Sequence, residues 1–138
     1  MKILLVEDDI MLNEMITEYI TSTGHAIKSV KTGNESLEIL DKEKFDLLIL
    51  DINLPDIDGF SILEKMHEQK RMIPTIYISA LIDIEDISRA FDLGCFDYLK
   101  KPFHLKELTL RINKLLKTRI VPQRHKRLSK HYSFDAET

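Results

Sequence analysis

Residues 45–60 read FDLLILDINLPDIDGF. Leu47, Leu48, Ile49 and Leu50 form an unbroken apolar run, the pattern of a strand buried on both faces. The run ends directly on Asp51. A carboxylate at the lip of a buried strand is costly unless a partner or a task holds it there.

Working outward, Ile3 to Val6, His25 to Val30, Thr75 to Ser79 and Phe96 to Leu99 also read as strands. Between them apolar residues recur at helical spacing. The first set is Leu12, Met15, Ile16, Tyr19 and Ile20, and Leu37 with Leu40 mark a second, shorter helix. Ile62, Leu63 and Met66 give a third, and Ile84, Ile87, Ala90 and Phe91 a fourth. Leu105, Leu108, Ile112, Leu115 and Leu116 give a fifth. Gly24 and Gly94 fall where the first and fourth helices would end, as left-handed caps. Five strands alternating with five helices predict an α/β fold with a parallel sheet wrapped on both faces.

At 138 residues and 43% hydrophobic, the chain has room for one domain with a substantial core and a short extension. A disordered chain is thereby excluded. Cys95 is the single cysteine, so no internal disulfide can form, which fits a reducing compartment. The opening MKILLVEDD is too short for a signal peptide, and no stretch approaches the roughly eighteen apolar residues of a membrane span. A cytoplasmic protein with no membrane partner is the expectation. The net charge of −3 hides an acidic body and a basic tail. Lys117, Arg119, Arg124, Lys126, Arg127 and Lys130 follow one another with no acid between them, and Pro122 stands inside the stretch. This shift marks the expected boundary of the domain.

A parallel sheet gives Asp51 a meaning, because open α/β folds bind ligands beyond the carboxyl ends of their strands. Glu7, Asp8 and Asp9 follow the first strand, Ser79 ends the fourth and Lys101 follows the fifth. Each has an ordinary reading by itself: Asp9 as a helix cap, Ser79 as a turn residue, Lys101 as a solvated cation. Four strand ends delivering carboxylates, a hydroxyl and an ammonium to one edge favour a site. Carboxylates about 4 Å apart repel by roughly 4 kcal/mol at an effective dielectric of 20, so the cluster calls for a cation or altered protonation. Oxygen donors suit Mg²⁺ or Mn²⁺ rather than zinc, and the histidines show no ligand spacing. Such a cation beside a lysine and a hydroxyl is equipment for phosphoryl oxygens, with Asp51 as the nucleophile that becomes an aspartyl phosphate.

VEDD after the first strand, LILDINLPDIDG around the third, ISA at the fourth and DYLKKPF at the fifth resemble the receiver domain of two-component response regulators. The resemblance covers residues 1–118 and implies a flavodoxin-like sheet of order 2-1-3-4-5. It also implies roles. Asp51 matches the phosphoacceptor, charged by a sensor histidine kinase. Asp8 matches the carboxylate that binds Mg²⁺ directly, Glu7 its acidic neighbour acting through water, and Asn53 the position that offers a backbone carbonyl. Asp9 then falls to capping the first helix. Lys101, which directly precedes Pro102, matches the lysine that pairs with the acceptor and later with a phosphoryl oxygen, across a cis peptide bond. Ser79 and Tyr98 match the hydroxyl and aromatic that switch on phosphorylation, biasing the face made of the fourth helix, fifth strand and fifth helix. Ala80 is small and leaves the acceptor accessible, and Leu81 bears on the approach of water. The role implied is a phosphoryl acceptor, not a turnover enzyme.

LKELTLRINKLLKTR resembles the fifth helix of OmpR/PhoB-type regulators, and HYSFDAET the strand that opens their DNA-binding domain. On this reading residues 119–131 are a basic linker, residues 132–138 begin a truncated effector, and DNA is reached only through that domain to control transcription. The alternative is a stand-alone receiver with a basic extension, acting through protein contacts. OmpR/PhoB-type receivers pair through charged contacts, and Asp97 with Arg111 preserves one such pair. Ile87 and Asn113 stand where basic partners of Glu107 and Asp92 are expected, which weakens the case for the usual homodimer. A haloacid-dehalogenase-like phosphatase would need a second carboxylate where Asn53 stands. A flavodoxin-like phosphate module would need donors where EDDIMLN supplies acid.

Overall fold

The computed structural model describes residues 1–80 and 84–120. In chain order the elements are β1 (Lys2–Val6), α1 (Ile10–Ser22), β2 (Ala26–Val30), α2 (Gly33–Lys42) and β3 (Leu47–Asp51). They continue with α3 (Gly59–Glu68), β4 (Thr75–Ser79), α4 (Ile84–Asp92), β5 (Cys95–Lys100) and α5 (Leu105–Ile120). The sheet has the order β2-β1-β3-β4-β5 with every neighbouring pair parallel. This is the doubly wound arrangement expected from the alternating pattern. Arg119 and Ile120, expected to open the linker, belong to α5, and the rest of the expected linker, the strand at 132–138 and Leu81 lie outside the described residues. Among the described residues no helix is long and apolar enough to cross a membrane.

All five residues of β3 and of β4 are buried, which explains their continuous apolar sequence: both faces of these inner strands are covered. Side chains alternate across the sheet. Leu4, Val6, Leu48, Leu50 and Tyr77 join Leu40 of α2, Phe60, Leu63 and Met66 of α3 and Ala90 of α4 in one cluster. The ring of Phe60 stands edge-on to Tyr77, with centroids 5.4 Å apart. Ile3, Leu5, Leu47, Ile49, Ile76 and Ile78 are the buried residues of alternate parity, and α1 buries Ile16 and Ile20. Each such side chain contributes roughly 1.5–3 kcal/mol over its exposed state.

Two helical faces differ from the sequence expectation. On α1 the buried positions are Asn13, Ile16 and Ile20, while Met15 is exposed. The amide of Asn13 replaces an apolar contact with hydrogen bonds, which turns the inward stripe by a residue. On α4 only Ala90 is buried, and Ile84 and Phe91 are exposed. Gly24 and Gly94 have φ of 95° and 91° just past α1 and α4, as left-handed caps require. On α5, Leu108, Ile112 and Leu115 are buried at one-face spacing.

Sequence order and spatial order part company at β1. From β2 the chain crosses to β3 on the far side of β1, so the crevice between the ends of β1 and β3 is a topological switch point. Val6 is level with Leu50, which sets Glu7 and Asp8 beside Asp51.

Candidate functional site

Glu7 leaves β1 fully buried, with its backbone groups and one carboxylate oxygen hydrogen-bonded. Its N–H donates to the Val30 carbonyl at 3.1 Å, and its own carbonyl accepts from Asn13 Nδ2 at 2.9 Å. Oε2 accepts from the Asp9 N–H at 3.0 Å. Asp9 is the N-cap of α1, with Oδ1 accepting from the Leu12 N–H at 3.1 Å. Asp8, between them, is exposed.

Asp51, at the end of β3, is 3% exposed. Its Oδ1 accepts from the Asn53 N–H at 3.0 Å, and its Oδ2 lies 3.1 Å from Lys101 Nζ. Asn53 Nδ2 donates to Ser79 Oγ at 3.3 Å, so the loop after β3 is tied to the end of β4. Lys101 follows β5, donates its N–H to the Ser79 carbonyl at 2.8 Å, and precedes Pro102 across a cis peptide bond. Its ammonium also stands 2.7 Å from Glu7 Oε1, a close ion pair and not an aligned hydrogen bond.

Two buried carboxylates therefore share one ammonium. Burial pushes the Glu7 carboxyl up to about 7, helped by the charge of Asp51 and opposed by the close Lys101 ammonium and the bond from Asp9. Burial alone would lower the Lys101 ammonium, but the close contact with Glu7 and the charges of Asp51 and Glu7 outweigh it and its pKa is raised. Glu7, Asp8 and Asp51 each offer a carboxylate oxygen, all within 4.8 Å of one another. Hard oxygen donors in excess of positive charge fit a divalent cation such as Mg²⁺, and the Glu7 Oε1 atom lacking an aligned donor points the same way.

The structure thus gathers Glu7, Asp8, Asp51, Asn53, Ser79 and Lys101 at one edge, with Asp9 serving the helix beside them. Tyr98 is set apart on β5, half-buried against the central cluster. Asp97 is buried, and its Oδ1 accepts from the Tyr98 N–H at 2.9 Å. Arg111 lies 3.6 Å from Glu107 one turn away on α5. Sequence reasoning passed over Asn13 and Asp56. Asn13 showed itself only as a polar residue in register with Ile16 and Ile20, and Asp56 only as an acid in a turn-rich loop.

Residues 3–113 match the response regulator receiver domain, and the chain belongs to that family, which serves phosphorylation-based two-component signalling. It is 38% identical to the transcriptional regulatory protein CrdR of Helicobacter pylori over 114 residues, covering 82% of this chain and 54% of that protein. It is 35% identical to the response regulator SaeR of Staphylococcus aureus over 136 residues, covering 99% of this chain and 58% of that protein. The chain thus spans little more than half the length of these curated relatives. The receiver domain of the Francisella response regulator 1452 superposes with a TM-score of 0.80 at 30% identity, covering 86% of this chain and 98% of that one.

Proposed function

We propose that this receiver accepts a phosphoryl group on Asp51 from the phosphohistidine of a sensor histidine kinase and passes the change through Ser79 and Tyr98 to a transcriptional output. The observation that carries the reading is the presentation of Asp51. It ends a rigid inner strand with one oxygen on the Asn53 N–H and the other on Lys101.

A carboxylate oxygen of Asp51 attacks phosphorus, the P–N bond to the kinase imidazole breaks, and the imidazole keeps its electron pair and takes a proton. Lys101, already 3.1 Å from Oδ2, moves its charge onto a phosphoryl oxygen. The Ser79 hydroxyl, tethered to Asn53 Nδ2, is the nearby donor that follows the new charge of about −1.5 to −2. Glu7, Asp8 and Asp51, with the Asn53 carbonyl, would hold Mg²⁺ or Mn²⁺, which supplies neutralisation of carboxylate and phosphoryl oxygens. Glu7, with its carboxyl near 7, yields a proton when such a cation binds. Transcriptional output is supported by the likeness to CrdR and SaeR, and DNA would be reached through a further domain.

Intact mass after incubation with acetyl phosphate tests the acceptor. The expected gain is roughly 80 Da, dependent on Mg²⁺ and lost in Asp51→Asn. No adduct on the wild-type chain, or an adduct surviving in Asp51→Asn, overturns the assignment.

A further inference from the structure

The loop between β3 and α3 carries Asn53, the residue that touches both Asp51 and Ser79. Its ends are secured by backbone bonds: Ile52 N–H to the Ile78 carbonyl at 3.3 Å, and Gly59 N–H to the Ile52 carbonyl at 2.8 Å. Between those ends it reaches across to the start of α2. The Asp56 carboxylate straddles the first turn there, Oδ1 accepting from the Gly33 N–H and Oδ2 from the Asn34 N–H, both at 2.8 Å. Thr32 caps the same helix, accepting from the Glu35 N–H at 3.1 Å, and the Glu35 carboxylate returns to the Lys31 N–H at 3.2 Å.

A helix start leaves four N–H groups without intrahelical partners. Here Asp56 satisfies two, those of Gly33 and Asn34, and the Thr32 side chain a third, that of Glu35, while Ser36 N–H to the Thr32 carbonyl at 3.2 Å is the first bond of the helix itself. Thr32 serves the helix from within its own sequence, so the Gly33 and Asn34 donors are completed by a residue of the β3–α3 loop. Beside this bond Ile57 lies directly on Gly33: a Cβ at Gly33 would collide with Ile57 Cγ1. Ile57 also packs on the central cluster. Polar and steric fit coincide at one point on the loop.

We propose that Asp56 and Ile57 latch the β3–α3 loop onto the start of α2 and are positioning residues that fix Asn53 beside Asp51 and Ser79, and thereby tune divalent-cation binding. The last clause rests on the function proposed above; the placement of Asn53 does not. The charge on Asp56 suits the task, because burial is outweighed by the bonds from Asn34 and Gly33, and its carboxyl is held below the usual range.

Amide exchange read by NMR on the metal-free chain separates this role from simple helix capping. Asp56→Ala is expected to speed exchange at Gly33, Asn34 and Asn53 together, and to weaken Mg²⁺ binding about fivefold, less than the tenfold or more of a group bonded directly to a ligand. Asp56→Asn, which keeps one acceptor, is expected to lie between and guards against an unfolded Ala variant. Gly33→Ala is expected to disturb Asn53 in the same way, and Gly33→Ala with Ile57→Ala to be no worse than Ile57→Ala alone. Faster exchange confined to Gly33 and Asn34, with Asn53 and Mg²⁺ affinity unchanged, overturns the latch and leaves a helix cap. A wild-type chain that takes up no phosphoryl group, while Asp56→Ala still frees Asn53, upholds the latch and removes the function reading.

Discussion

Lys101 faces two buried carboxylates, and the balance among the three sets the protonation of the metal-free site. Replacing it with Met leaves Glu7 and Asp51 with each other's charge alone. Removing a partner from a buried pair costs a few kcal/mol unless the stranded group changes protonation, and Glu7 is already close to doing so. Lys101→Met is therefore expected to cost about 1–3 kcal/mol at pH 8 and clearly less at pH 5, where Glu7 carries a proton. Urea denaturation at the two pH values checks this, and an equal loss at both would show that charge is not the cause. The converse change, Asp51→Asn, removes a charge that raises Glu7, so its carboxyl is expected to titrate below about 7. Carbon-detected NMR of the Glu7 carboxyl follows it directly. The gathering of these residues at one edge was legible because carboxylate, hydroxyl and ammonium at strand ends are uncommon together, whereas the displaced protonation of Glu7 depends on burial that no linear pattern prints.

At the scale of elements, α1 and α3 show what the sequence carried and what it withheld. Periodicity located both helices, but the face of α1 was misjudged because a buried amide breaks an apolar stripe without breaking the helix. Asn13 Nδ2 serves the Glu7 carbonyl at 2.9 Å and approaches the Val30 carbonyl at 3.4 Å. Asn13→Leu keeps the branching at Cγ and leaves those acceptors unserved, with an expected loss of about 1–3 kcal/mol. Met15→Ala, at an exposed position, should stay within about 0.5 kcal/mol. Equal effects in denaturant melts would contradict the assignment of the buried face. At α3 the constraint is contact with backbone. A Cβ at Gly59 would meet the Asp51 carbonyl oxygen at 2.8 Å and Ile52 Cα at 2.9 Å. Neither atom can turn aside, so Gly59→Ala is expected to cost about 1–3 kcal/mol and to disturb the Asp51 loop. Gly24→Ala has open space and only its positive φ of 95° against it, a penalty of about 1 kcal/mol. Glycine at both positions was visible in the sequence; that one serves conformation and the other close approach was not.

Across the whole molecule, charge is matched at one end of the sheet and mismatched at the other. At the amino ends of the strands Glu43 lies 2.7 Å from both Lys2 and Lys28, and the Lys2 N–H donates to Asp46 at 2.7 Å. At the carboxyl ends two buried acids compete for Lys101. The two ends respond oppositely to pH. Bonds from Lys2 and Lys28 lower the Glu43 carboxyl, so its contribution is present above the ordinary value of 4.5 and is lost as pH falls through the lowered one. Asp56 behaves likewise from its ordinary 3.8. Glu7 is raised from 4.5 to about 7, so between those values the folded chain holds a proton that the unfolded chain has released, and stability falls as pH rises. The metal-free chain is therefore expected to be most stable near pH 5, and to lose about 3 kcal/mol by pH 8 from Glu7 alone. Lys101, raised from 10.5, adds nothing to the slope in this window. A divalent cation held by Glu7, Asp8 and Asp51, as proposed above, would favour the ionised form of Glu7, so saturating Mg²⁺ is expected to restore stability at pH 8 far more than at pH 5 and to move the optimum upward. Thermal unfolding from pH 4 to 9, in chelator and in Mg²⁺, on wild type and Glu7→Gln, measures each part. The variant should lose the decline above pH 5. A decline that persists in Glu7→Gln, or a wild-type melting temperature that climbs steadily to pH 8 without metal, would place the mismatch somewhere other than the end of β1.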